Sequence, residues 1–217
     1  MEFENYEREL KYIITGKTSF DEVLKVFLDK GYKLIETINK EKHETYFDDS
    51  KLTVLKRGDV MRGSKYITEQ FNGFLYKKNM CDENKPYVSK LELGTKLRGQ
   101  YKDVNEFIKE LDVNITDELK PILYAKMFRK VGIIEKNTDR LYISYDKVKY
   151  YEKEETDAVY EEMLEIEDWI KPNSTAGNYN YDEHLIVANE LLSNSNLPIK
   201  LTKDSKYFRG YTLLKNK

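Results

Sequence analysis

The chain has 217 residues, with 37 basic groups, 39 acidic groups and a formal charge of −2, a balance that argues against a general nucleic-acid or membrane-surface binder, since those carry a basic excess. A single cysteine, Cys81, excludes an intramolecular disulfide; two histidines, His43 and His184, exclude a Cys/His zinc cluster; and no apolar run approaches membrane-spanning length. The length and a 40% hydrophobic content with 18 tyrosines suit one folded domain over residues 1–217 in a reducing, cytoplasmic setting, without a secretion leader.

Near the start, Glu7, Glu9 and Lys11 fall on alternate residues of the run from Tyr6 to Ile14. In a β-strand the period of two puts all three on one face and Tyr6, Leu10, Tyr12 and Ile14 on the other. Carboxylates so spaced can hold a hard divalent cation, and the lysine beside them can meet a phosphate oxygen. The same spacing also suits a solvated strand face or a surface ion pair. Next, Ser19 and Glu22 have capping-box spacing ahead of a helical stripe, Val23, Leu24, Phe27 and Leu28, that ends before Gly31. Tyr32 to Asp48 reads as a strand, followed by a turn at Asp48 to Ser50, the run Leu52 to Leu55, and a hairpin turn at Arg57, Gly58 and Asp59. Further strands are predicted at Val60 to Thr68, Gly73 to Lys78 and Tyr87 to Leu93. Asp103 and Glu106 open a second helix with Val104, Phe107, Ile108 and Leu111 inside, and Asp117 to Leu123 is ambiguous because Pro121 interrupts it. Strands resume at Leu123 to Ile134, Arg140 to Val148 and Tyr160 to Asp168. A polar stretch follows Pro172, then a helix from about Asp182 to Leu192 and a tail that ends in Ser205 to Tyr211.

This order predicts an α+β fold, an eight-stranded antiparallel closed β-barrel with helices packed outside, whose charged strand faces line an internal channel. Glu165 and Glu167 repeat the spacing of Glu7 and Glu9, so two acidic strands can close around a cation; oxygen-only ligands favour Mg²⁺ or Mn²⁺. The competing reading is an acidic edge continuing the glutamate-rich run from Glu152 to Glu162. One basic group recurs on strand after strand, at Arg62, Lys77, Lys90, Lys126, Arg129 and Arg140, a lining suited to a polyanion if the side chains share a depth. Each alone equally suits an exposed surface. Asp146 is either an inward acid or a turn residue.

Taken together, Glu7 to Lys11, Tyr46 to Asp48, Gly58 to Arg62, the Lys77 strand, Lys90 to Glu92, Lys126 to Arg129, Asp146 and Glu165 to Glu167 resemble the CYTH superfamily, the triphosphate tunnel metalloenzymes. Tyr124 to Lys126, the Asp146 strand and Ser205 to Tyr207 resemble the polyphosphate polymerase branch. The chain departs from the pattern at Ser64, Leu75 and Lys90. The resemblance covers a core of about residues 1–170; the C-terminal helix and tail, 171–217, lie outside that shared core and are expected to cap one tunnel mouth. It further implies a triphosphate-containing small molecule as partner, with no nucleic acid or membrane and with a homodimer allowed. Glu7, Glu9, Glu165 and Glu167 would bind Mg²⁺ or Mn²⁺, with Glu92 or Asp146 at a second position. Lys11, Arg62, Lys77, Lys90, Lys126 and Arg129 would grip the phosphates, and Glu9 and Lys11 would act in catalysis. The expected reaction is metal-dependent triphosphate hydrolysis; the alternatives are class IV adenylate cyclase chemistry and a non-catalytic polyphosphate or nucleotide binder.

Overall fold

A computed structural model describes residues 5–66, 72–80, 82–94, 100–137, 139–168 and 181–217. The strands are β1 (Asn5–Ile14), β2 (Lys33–Asp48), β3 (Val60–Tyr66), β4 (Asn72–Asn79), β5 (Val88–Leu93), β6 (Lys120–Lys136), β7 (Asp139–Tyr151), β8 (Val159–Asp168) and β9 (Ile199–Thr202). The helices are α1 (Phe20–Leu28), α2 (Thr53–Lys56), α3 (Val104–Lys109), α4 (Tyr181–Ser193) and α5 (Lys206–Lys215). Pairing runs in the order β5-β4-β3-β2-β6-β7-β8-β1, and β1 pairs back onto β5, so eight antiparallel strands close into the expected barrel. β1 spans the closure: one edge holds β8 from Glu9 to Ile13, while the other passes from β5 at residues 5–9 to the added strand β9 at residues 11–14. Among the described residues no helix is long and apolar enough to cross a membrane.

Helix α1 forms where its sequence pattern predicts. The Ser19 hydroxyl accepts the Glu22 N–H, and the Glu22 carboxylate accepts the Ser19 N–H at 2.7 Å, satisfying amides that the first helical turn leaves unpaired. Its buried stripe, Val23, Leu24 and Phe27, packs on the barrel wall. Gly132 on β6 permits that approach, because a Cβ there would stand 2.9 Å from Phe20 and 3.0 Å from Leu24. This outer core continues through Leu10, Tyr12, Ile143, Leu164 and Ile166 to Leu185 and Ala188 on α4.

A second core lies inside one end of the barrel. Leu123, Ala125 and Met127 share the inward face of β6, and Val148 and Tyr150 that of β7; all are 2% exposed or less. Helix α5 presses Tyr207 into this end, with Gly210 against Tyr150 and Leu123; a Cβ at Gly210 would come within 2.5 and 2.8 Å of them.

One expectation changes, and two stretches that the sequence leaves open take form. The run from Thr53 to Lys56 winds into α2 instead of leading as extended chain to a two-residue hairpin. The buried Asp48 carboxylate dictates this, accepting the N–H groups of Asp49, Val54 and Leu55 at 2.9 Å each. Gly58 then reverses the chain at φ +70°, a left-handed conformation open to glycine at little cost. Pro121 lies within β6, where a register shift between Tyr46 and Phe47 removes the need for its missing N–H. The tail forms β9 and α5. Thr68, Cys81 and the polar stretch around Pro172 lie outside the described residues.

Candidate functional site

The barrel interior encloses a cavity of about 220 Å³ lined by Glu7, Glu9, Lys11, Arg62, Lys77, Lys90, Glu92, Arg129, Glu165 and Glu167, together with Lys42, Tyr46, Lys206 and Tyr207. Strand period and register place these side chains. Glu7, Glu9 and Lys11 alternate inward on β1, and antiparallel pairing sets Glu9 against Glu167, Lys11 against Glu165 and Glu7 against Lys90. Of the residues expected to grip phosphate, Lys126 is not brought to the cavity. The ladder between β6 and β7 runs without a bulge from Tyr124 to Lys136, so Lys126, three residues from Arg129, faces outward and pairs with Glu155.

The four expected metal-binding carboxylates divide into three and one. Carboxylate oxygens of Glu7, Glu9 and Glu167 lie within 4.8 Å of one another. Burial raises Glu9, and Glu7 and Glu165 raise it further against the pull of Lys11, which stands 2.6 Å away. Burial, together with the Glu7 charge, likewise pushes Glu167 up to about 7. Burial would raise Glu7 too, but its contact with Lys77 outweighs that and holds it at about 2. Three hard oxygen donors, of which Glu9 and Glu167 resist ionisation through burial and neighbouring acids, suit a divalent cation such as Mg²⁺ or Mn²⁺. Glu165 lies apart from this group. It accepts from Arg129 at 2.5 Å and contacts Lys206, and these cations hold it well below the usual carboxylate range despite the cost of burial. Glu92 pairs with Lys77 at 3.1 Å, and Lys90 donates to the Gly58 carbonyl at 2.6 Å.

The opposite side of the cavity is basic. Arg129 reaches Asp146 with two hydrogen bonds of 2.7 Å, and Lys206 stands 2.9 Å from the same carboxylate, which settles Asp146 as a fully buried inward acid. Arg62 and Lys42 share Glu44 at 2.9 and 2.8 Å. Burial lowers Lys42 to about 8; Glu44 opposes this, while Arg129, Arg62 and Lys206 add to it. Lys42, Glu44 and Lys206 escape sequence reasoning. Lys42 and Glu44 lie in a run, Lys40 to Glu44, that is polar at every position and so shows no inward face. Lys206 comes from a helix outside the strand pattern; its sequence signals are the resemblance of Ser205 to Tyr207 to the polyphosphate polymerase branch and the Ser205 N-cap, whose hydroxyl accepts the Phe208 N–H at 3.1 Å.

An eight-stranded antiparallel barrel around buried acids and bases is the triphosphate tunnel fold that the sequence resembles. A Hippeastrum protein, named as an adenylyl cyclase candidate and described as having a dominant triphosphatase activity, shares it at TM-score 0.56 and 14% identity over 94% of this chain and 96% of that one. A Pyrococcus horikoshii protein does so at TM-score 0.54 and 18% identity over 97% and 99% of the two chains. At these identities the likeness carries the fold, and the chemistry rests on the residues. No protein-family model matches the chain, and no functionally curated protein matches it.

Proposed function

We propose that the chain is a divalent-metal-dependent hydrolase of triphosphates, acting on inorganic tripolyphosphate or the triphosphate of a small ester. The observation that carries this reading is the meeting, in one cavity of about 220 Å³, of a three-carboxylate group with Lys11, Lys42, Arg62, Lys77, Arg129 and Lys206. That volume falls below the roughly 300–1,000 Å³ of pockets that enclose a drug-sized ligand, so it suits a short phosphate chain better than a whole nucleotide. The triphosphatase activity given for the Hippeastrum relative of the same fold supports the reading.

Glu7, Glu9 and Glu167 would hold Mg²⁺ or Mn²⁺, which supplies charge neutralisation at the phosphate oxygens when bound. Arg62, Lys42, Arg129 and Lys206 neutralise the chain from the other side as charge redistributes in the transition state, and Lys11 and Lys77 do so beside the acids. Buried and already paired, these cations are fixed in place before substrate arrives. Glu165 and Asp146 position Arg129 and Lys206. Water oriented by Glu9 adds to a terminal phosphorus while the bridging P–O bond breaks. Tripolyphosphate then yields pyrophosphate and orthophosphate, and the water proton passes to a carboxylate of the acidic group. The test is incubation with tripolyphosphate, and separately ATP, with Mg²⁺ or Mn²⁺. Orthophosphate release that Glu9→Gln abolishes is the expected result; cyclic AMP from ATP would instead identify a cyclase, and tight binding without turnover under either metal would identify a binder.

A further inference from the structure

Outside the barrel, a trough of about 920 Å³ lies between the segment that leads into α1, Gly16 to Phe20, and the outer faces of β2, β6, β7 and β8. That volume falls within the roughly 300–1,000 Å³ of sites that enclose an organic ligand. The trough stands back to back with the interior cavity. Strand alternation turns Arg129 and its register partner Asp146 inward, and turns Phe128 and Lys130 on β6, with Tyr145 and Lys147 on β7, to the outside. One thickness of sheet separates the two spaces, so both can be filled at once.

The lining is aromatic, basic and incompletely satisfied. Phe128 offers its ring from the sheet at 59% exposure, and Phe20, on α1, holds the Lys130 ammonium 4.5 Å from its ring centroid. Four lysines, among them Lys17, Lys130 and Lys147, stand against three glutamates. Two of those acids are already engaged, Glu22 by the Ser19 amide at 2.7 Å and Glu162 by the Tyr145 hydroxyl at 2.6 Å, whereas Lys17 makes no ion pair among the described residues. The Tyr145 hydroxyl also stands 2.7 Å from the Thr18 carbonyl and ties the loop to the sheet. Thr18 itself is 8% exposed, and its Oγ1 is buried with no hydrogen-bond partner among the described residues. An unpaired buried hydroxyl is costly, and a ligand's polar atom would satisfy it.

We propose that the trough is a second ligand site, taking a planar aromatic molecule with an anionic substituent: the ring packs on Phe128 and the anion meets Lys17, Lys130 and Lys147. This goes beyond the triphosphate reading and does not depend on it. The shared chemistry covers a nucleotide, whose anion is a phosphate, and an aromatic acid, whose anion is a carboxylate.

Fluorescence titration of the full chain with anilinonaphthalene sulfonate, and with its uncharged analogue phenylnaphthylamine, tests the site. Saturable one-to-one binding of the sulfonate that persists in saturating tripolyphosphate is expected. Phe128→Ser, at an exposed position that spares the core, is expected to weaken it about tenfold or more through loss of the ring contact. Lys130→Met is expected to weaken the sulfonate about tenfold and to leave the uncharged analogue within about twofold. Displacement of the sulfonate by AMP would identify a nucleotide, and by indole acetate an aromatic acid. Absence of saturable binding, its loss in tripolyphosphate, or indifference to Phe128→Ser would overturn the trough as a separate site. Equal affinity for the charged and uncharged dyes would overturn the anionic requirement, and displacement by neither competitor would overturn the ligand class.

Discussion

The more exposed, acidic end of the cavity and its buried, basic end, the open and the closed end, are built in opposite ways. The open end draws its acids from β1 and β8, neighbours in the sheet, and Glu9 stands directly opposite Glu167 in register. The closed end gathers Lys42 and Glu44 from β2, Arg62 from β3, Arg129 from β6, Asp146 from β7 and Lys206 from α5. One end is thus a product of strand alternation and a single pairing, and the other exists only through tertiary assembly. At the open end Glu9 and Glu167 are raised by burial and by neighbouring acids even though Lys11 stands 2.6 Å from Glu9, whereas each acid at the closed end is shared between two cations: Glu44 by Lys42 and Arg62, and Asp146 by Arg129 and Lys206, all within about 3 Å. Function is expected to be most fragile at the first, stability at the second.

The sharpest test of that division is Glu9→Ala, expected to lower triphosphate turnover by about 1,000-fold through loss of electrostatic preorganisation, with a smaller cost in the thermal unfolding midpoint than at the closed end, because relief of repulsion from Glu7 and Glu165 offsets the loss of the partner that Lys11 holds at 2.6 Å. Phosphate release and a melting curve on one sample read both. At the closed end, Arg129→Ala leaves Asp146 and Glu165 facing each other without their shared guanidinium and is expected to cost about 3–5 kcal/mol in chemical denaturation. A small change there, with a large one for Glu9→Ala, would reverse the comparison.

Lys42 gives the closed end a pH signature. Its folded pKa of about 8 lies below the ordinary 10.5, so the lysine is charged in both folded and unfolded chains below pH 8. Between about 8 and 10.5 the unfolded chain holds more protons. Stability from this group therefore rises with pH across that window, while attraction for a polyanion falls. Tripolyphosphate affinity is expected to drop about tenfold from pH 7 to pH 9, and Lys42→Met is expected to flatten that profile. The smallest effect belongs to Tyr207→Phe. Asp48 retains three backbone donors after losing the tyrosine hydroxyl, so the expected loss is about 1 kcal/mol in denaturation.

The barrel was legible because its strands alternate cleanly: Glu7, Glu9 and Lys11 against Leu10, Tyr12 and Ile14 on β1, and Glu165 and Glu167 against Leu164 and Ile166 on β8. Alternation fixes a face only where the two faces differ. Across Lys40 to Glu44 both are polar, and Lys42 could not be told from His43. Lys126 and Arg129 carried the opposite lesson: their odd spacing already precluded one shared face on a regular strand, and the unbroken ladder chose Arg129. Position in the sheet is local information, but division of four glutamates into a group of three and a paired Glu165 depends on Arg129 and Lys206, which lie 36 and 41 residues away along the chain. The turn at Leu52 to Asp59 was misread for a related reason, since α2 is wound by the Asp48 carboxylate and not by any propensity of Thr53 to Lys56.

The route of β1 through the closure seam also bears on how the protein is made. The first strand pairs with β5 some 80 to 90 residues later, but with β8 and β9 only some 150 to 190 residues later, and the basic side of the cavity waits for Lys206. During synthesis the acids of β1 can meet β5 early, but the edge that faces Glu165 and Glu167 closes only after most of the polypeptide has emerged. A chain ending before Ser205 would carry every strand acid but lack Lys206 and Tyr207, so the second cation on Asp146 and Glu165 would be the last part of the site to arrive.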